Sequence, residues 1–167
     1  MESSVATIQL MYDYNRWANH RLWAVCESLT QEQWDRSLGH SWGSVHSLLT
    51  HMHAADVIWF ARWRGHSPQV LHQPAEFPTF AELEKAWQKT ELEIMAFVES
   101  LTDKRLAADV NYITTRGDQQ SQLLGHLMLH LANHNTHHRG ELAAMLTILN
   151  IPHPEDDLLF YLRENKK

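Results

Sequence analysis

Apolar residues between positions 5 and 29 recur at three- and four-residue intervals: Ile8, Met11, Tyr12, Trp17, Leu22 and Val25. That spacing puts them on one face of a long first helix. Thr30-Gln31-Glu32-Gln33 follows as a capping box, which opens a short helix or turn. Ser44 is placed to cap a second helix running through Val45, Leu48, Leu49, Met52, Ala55 and Trp59 to Gly65, a suitable C-terminal stop. Pro68, Pro74 and Pro78 make residues 66–78 a linker, because each proline removes a backbone donor and disfavours helix in the residue before it. A second capping box, Thr79-Phe80-Ala81-Glu82, starts a third helix whose apolar positions carry it towards Leu101. In residues 109–115, Val110, Tyr112 and Thr114 alternate with their neighbours, as in one arm of a hairpin that turns at Arg116-Gly117-Asp118. The spacing predicts a last long helix over residues 119–149, closed by Asn150 and Pro152.

Four long amphipathic helices with one long connection predict an all-α fold, a four-helix bundle with a short extended segment or hairpin before the last helix. A length of 167 residues suits one domain spanning 1–167. With 44% hydrophobic and 20% charged residues, the chain can offset its ordering entropy, so disorder is excluded. The formal net charge is −6, and the single basic run is the terminal Lys166-Lys167, which argues against a nucleic-acid partner. No apolar run approaches the roughly 18 residues of a membrane span, so no membrane partner is expected. Cys26 is the single cysteine, and Met1-Glu2-Ser3-Ser4 opens without a basic-then-apolar signal; both point to the cytoplasm.

Two counts stand out, 13 His and 7 Trp. Histidine is the commonest side-chain ligand of transition metals, so its placement carries the chemistry. Projected on a helix with Leu127 at zero, Leu131, Leu142, Met145 and Leu149 fall within about 60°, and His134 and His138 fall about 20° either side of the centre. Both point into the core, one turn apart, where two rings can converge on one ion. Two ordinary core histidines satisfied by carbonyls are the bland alternative, and the compensation that paired buried imidazoles need weighs against it. His130 projects to the edge of the stripe, and His126 and His137 lie further out. On the second helix His46 and His53 project away from the stripe of Leu48, Ala55 and Trp59, whereas His51 lies on its flank and is the one inward candidate. His72 and His153 sit beside prolines as loop residues, and His20, His40 and His66 have no partner at ligand spacing. Asp56 and Glu141 are either carboxylates that orient a ligand imidazole or, more commonly, solvated charges. Cys26 is expected to be a small buried hydrophobe, and Trp17, Trp59 and Trp63 core or pocket wall.

Asn133-His134-Asn135-Thr136-His137-His138-Arg139-Gly140 resembles the NHxTHHRG signature of the DinB/YfiT-like family of bacterial metalloenzymes. Tyr14-Asn15-Arg16-Trp17-Ala18-Asn19 resembles the family's first helix, and the stretch from His51 through Asp56, Trp59 and Arg62 to Gly65 its first-ligand segment. The resemblance covers nearly the whole chain. It implies a four-helix bundle with one divalent transition-metal ion (Zn, Ni, Fe or Cu) on His51, His134 and His138. One departure is Glu141, where relatives commonly carry Gln. Three imidazoles leave positions open for water or substrate, as catalytic metal sites do. The expected function is that of a metal-dependent enzyme, a thiol-dependent S-transferase acting on a small molecule with a low-molecular-weight thiol. A metal-dependent hydrolase and a non-catalytic metal sensor are the alternatives. The tryptophan surplus and the resemblance also raise the expectation of a homodimer.

Overall fold

In the computed structural model, residues 4–39 and 42–165 are described. Helix α1 spans Val5–Cys26, a short α2 Gln31–Asp35, α3 Val45–Trp63 and α4 Phe80–Glu99. A one-turn α5, Asp103–Leu106, leads into a hairpin of β1, Asp109–Ile113, and β2, Gln119–Leu123. The chain ends in α6, Leu124–Ile148, and α7, Leu158–Glu164. Each capping residue expected from the sequence is in place: Thr30 and Thr79 close full capping boxes, and the Ser44 side chain accepts from the Ser47 amide. Such caps contribute about 1 kcal/mol each.

The four long helices form a closed ring in which α1 packs on α4 and α6, and α3 packs on the same two. This is the expected all-α bundle. The last helix is shorter than its predicted span: residues 119–123 pair antiparallel with β1, Asp109 opposite Leu123 and Ile113 opposite Gln119. Gln119-Gln120-Ser121-Gln122 carries no apolar stripe to bury, so a ladder of backbone hydrogen bonds takes it in place of a helix. Two elements had no strong sequence pattern, α5 and α7, and each is too short for periodicity to show.

The apolar core comes in two clusters. One gathers Ile8, Tyr12, Phe60, Trp63, Val98 and Met128; the other gathers Leu22, Trp23, Leu48, Met52, Leu83, Trp87 and Met145. Between them, at the same level of the bundle, lie the buried polar residues Asn15, Asn19, His53, Asp56, Asn135, His138 and Arg139. A polar belt across a bundle is costly unless its members satisfy one another. Four of the tryptophans, Trp23, Trp34, Trp63 and Trp87, are spent in the core, so their number by itself no longer points to an interface. Cys26 is buried as expected, and burial pushes its thiol up to about 12, which leaves it unreactive. No helix of the described residues is long and apolar enough to cross a membrane.

Candidate metal centre

His51 comes from the middle of α3, and His134 and His138 from successive turns of α6. Because α3 and α6 are neighbours, the flanking position of His51 faces the inward positions of the other two. The His134 Nε2 lies 3.1 Å from Nε2 of His51 and 3.1 Å from Nε2 of His138. All three ligand atoms lie within 4.8 Å of one another. A tetrahedral zinc ion at about 2.0–2.1 Å from each imidazole nitrogen sets those nitrogens about 3.3 Å apart, close to the spacing here.

The donor chemistry also fits a cation. Burial, reinforced by the neighbouring imidazoles, pushes His51 down to about 4 and His134 to about 3, so near neutral pH both rings are uncharged and have a lone pair to offer. The His134 Nδ1 is buried and makes no well-formed hydrogen bond, only a weak contact with Asn135. A core histidine held by carbonyls would not look like this. His138 is different: its Nδ1 donates to Oε2 of Glu141 at 2.6 Å, which leaves its Nε2 lone pair directed at the cluster. Such a cluster could hold a metal ion.

The DinB family model matches residues 1–167. The chain belongs to the DinB family. It is 22% identical over 143 residues to Protein DinB of Bacillus subtilis (strain 168), covering 81% of this chain and 82% of that protein. Its fold matches the crystal structure of a DinB-like protein from Bacillus cereus with a TM-score of 0.67, covering 93% of this chain and 99% of that one at 16% identity.

In this DinB chain the polar belt holds the histidines in register. Asp56 takes the Trp87 indole N–H at 2.7 Å on one oxygen and the Asn135 amide at 3.0 Å on the other, tying α3 to α4 and to the residue after His134. Asp56 is therefore buried, not solvated, and it holds an amide, not a ligand imidazole. Desolvation raises its carboxyl to about 6. Arg139, the residue after His138, is 1% exposed. Its guanidinium donates to Asn15 Oδ1 at 2.9 Å, Asn19 Oδ1 at 3.2 Å, Thr136 Oγ1 at 2.9 Å and Asp156 Oδ2 at 3.2 Å, and it lies over the Tyr14 ring. The Tyr14-to-Asn19 motif is thus the socket for the arginine of the other motif.

Two sequence expectations need correction. His46 and His53 are not surface residues: they are 8% and 2% exposed. Fourteen of the nineteen residues of α3 are buried, because α2, α4 and the 66–78 connection cover the side that a single-helix projection leaves to solvent. The His46 Nδ1 lies 2.8 Å from an Asp35 carboxylate oxygen, and its Nε2 lies 3.1 Å from the Pro74 carbonyl oxygen. The His53 ring stacks on His72, whose Nδ1 donates to Glu76. None of these three histidines belongs to the three-histidine cluster. Nor do His126 and His137, which are exposed, or His130, whose ring lies 6.1 Å from that of His134. His20 pairs with Glu91, His153 lies beside Thr147, and His40 is outside the described residues.

Trp42 carried no sequence signal, yet its indole stacks on His51 at 3.7 Å between centroids and meets His138 edge-on at 6.0 Å. It also lines a cleft of about 380 Å³ that runs past Thr50, His51 and Ala54 under the segment 71–74. A roomier groove of about 690 Å³ lies along the hairpin at Tyr112, Ile113 and Gln119, and none of the three histidines lines it. The histidine chemistry and the 380 Å³ cleft share His51, which makes that cleft the one to connect with function.

Proposed function

We propose that this DinB protein binds one divalent transition-metal ion, Zn, Ni, Fe or Cu, through Nε2 of His51, His134 and His138, and that the loaded protein is a thiol-dependent S-transferase. The observation that carries the reading is the convergence of three imidazole Nε2 atoms from two helices, with that of His134 lying 3.1 Å from each of the other two. Three ligands leave the coordination sphere incomplete, as in catalytic sites. When bound, a divalent ion supplies the positive charge that keeps a thiol sulfur as thiolate near neutral pH. In the transfer the thiol gives up its proton to solvent water, the sulfur electron pair forms the bond to the electrophilic atom, and the displaced group departs with the pair from the broken bond. The cleft beside His51 seats the small-molecule substrate, with Trp42 as the wall next to the reacting end.

The test begins with elemental analysis of protein purified without a histidine-affinity column. Wild-type protein is expected to carry about one divalent ion per chain, and His134→Ala and His138→Ala to lose it. Apo, metal-loaded and His51→Ala protein are then compared in conjugation of 1-chloro-2,4-dinitrobenzene, with and without each of several low-molecular-weight thiols. The loaded wild type is expected to be fastest, and only with thiol. Full metal retention in both alanine variants overturns the site. A loaded protein no faster than the apo form with every thiol overturns the transferase reading in favour of hydrolysis or sensing.

A further inference from the structure

An imidazole that binds a cation through one nitrogen is oriented, and made more or less basic, by what its other nitrogen meets. For His138 that partner is Glu141, one turn further along α6, at 2.6 Å from Nδ1. The contact is sheltered, with side chains 8% and 16% exposed. A carboxylate can only accept, so it holds the hydrogen on Nδ1 and turns the Nε2 lone pair towards His134 and His51. The other carboxylate oxygen lies 3.7 Å from Nε2 of His137, whose side chain is 66% exposed. An imidazole that gives its lone pair to a cation adds no charge of its own, whereas a carboxylate stands at the edge of this cluster in Glu141. Asp56, the buried carboxylate of the neighbouring helix, has both oxygens engaged by Trp87 and Asn135.

We propose that Glu141 is a positioning residue of the metal centre: its carboxylate fixes the tautomer and orientation of His138 and lends the centre its charge, so that a divalent ion binds more tightly than an uncharged amide here would allow. This rests on the three-histidine reading of the site. Orientation and charge separate by substitution. Glu141→Gln keeps an acceptor oxygen for the His138 N–H and removes the charge, whereas Glu141→Ala removes both.

The experiment measures zinc affinity of the full-length chain by competition with a chromophoric chelator, for wild type, Glu141→Gln, Glu141→Ala and His137→Ala. Cobalt-loaded samples of each provide a visible spectrum that responds to ligand geometry, and apo-protein melting curves show that each variant is folded. Loss of such an outer partner costs about 10- to 100-fold in metal affinity, so Glu141→Gln is expected near the low end and Glu141→Ala near the high end. The cobalt spectrum is expected to stay that of wild type in Glu141→Gln and to change in Glu141→Ala. His137→Ala should bind within about twofold of wild type. Glu141→Gln binding as tightly as wild type overturns the proposal while leaving the three-histidine site intact. A loss in His137→Ala as large as in Glu141→Ala also overturns it, since the carboxylate would then be a direct ligand in a second group formed by His137, His138 and Glu141. Wild-type protein that takes up no zinc overturns this proposal together with the site.

Discussion

Replacing Arg139 with leucine removes the clamp between the two motifs while nearly conserving side-chain volume. Four hydrogen bonds disappear, and with them the filling of a socket in which the arginine is 1% exposed. Asp156 is on the rim, 26% exposed, and water can take over its share. Asn15 and Asn19 are 5% and 6% exposed, and their side-chain oxygens are left facing leucine. Each buried acceptor stranded in this way costs about 1–3 kcal/mol. Together the two account for a loss of about 3–5 kcal/mol, the size seen when one partner of a buried charged network is deleted. At this chain length 1 kcal/mol shifts the melting temperature by roughly 2–4 °C, so a fall on the order of 10 °C is expected in thermal unfolding. Urea unfolding followed by circular dichroism gives the free energy directly. Arg139→Lys should lose nearly as much, because an ammonium on a flexible stem cannot reproduce the planar fork that meets acceptors on α1 and beyond α6 at once. If Arg139→Leu costs less than about 1 kcal/mol in that titration, the clamp is not what couples α1 to α6, and the reasoning fails.

The carboxyl of Asp56 gives a pH dependence of definite sign. Burial raises it from 3.8 to about 6, so its contribution is full below pH 3.8 and lost as pH rises through 6. Wild type should therefore lose on the order of 3 kcal/mol relative to Asp56→Asn between pH 4 and pH 7 in urea titrations, and parallel curves for the two proteins would refute the assignment. At the other side of α3, both ring nitrogens of His46 face acceptors, Asp35 and the Pro74 carbonyl, while its ring stacks on Trp34. His46→Phe keeps the stacking and loses both bonds, so amide exchange in residues 71–76 should quicken several-fold by mass spectrometry with metal content unchanged; unchanged exchange would show that the segment is held by other contacts.

How much of this was legible in the sequence follows from what each residue asks of its helix. The long helices and their caps were readable because Thr30, Ser44 and Thr79 act within three residues of themselves. His134 and His138 were readable because two residues four apart on one stripe must share a direction, whatever the rest of the chain does. His51 was ambiguous, since a flank becomes an inside only when the neighbouring helix is known, and family resemblance had to supply what α6 supplies in space. Residues 119–123 and His53 failed for the opposite reason. Their state depends on partners remote in sequence, β1 for the first and α4 with the 66–78 connection for the second, and a single-helix projection contains neither. Trp42 lies outside any periodic segment, so nothing local marks it as the ring that covers His51. The polar belt has the same character. Asn15, Asn19, Asp56, Asn135 and Arg139 each look like a break in an apolar stripe when read along their own helix, and only their coincidence at one level turns the breaks into a network. Every bond of that network ends on a residue within two positions of a clustered histidine or on the residue bracing it. The bundle therefore gives up apolar packing at its waist, and the rigidity of the three imidazoles is what it receives in return.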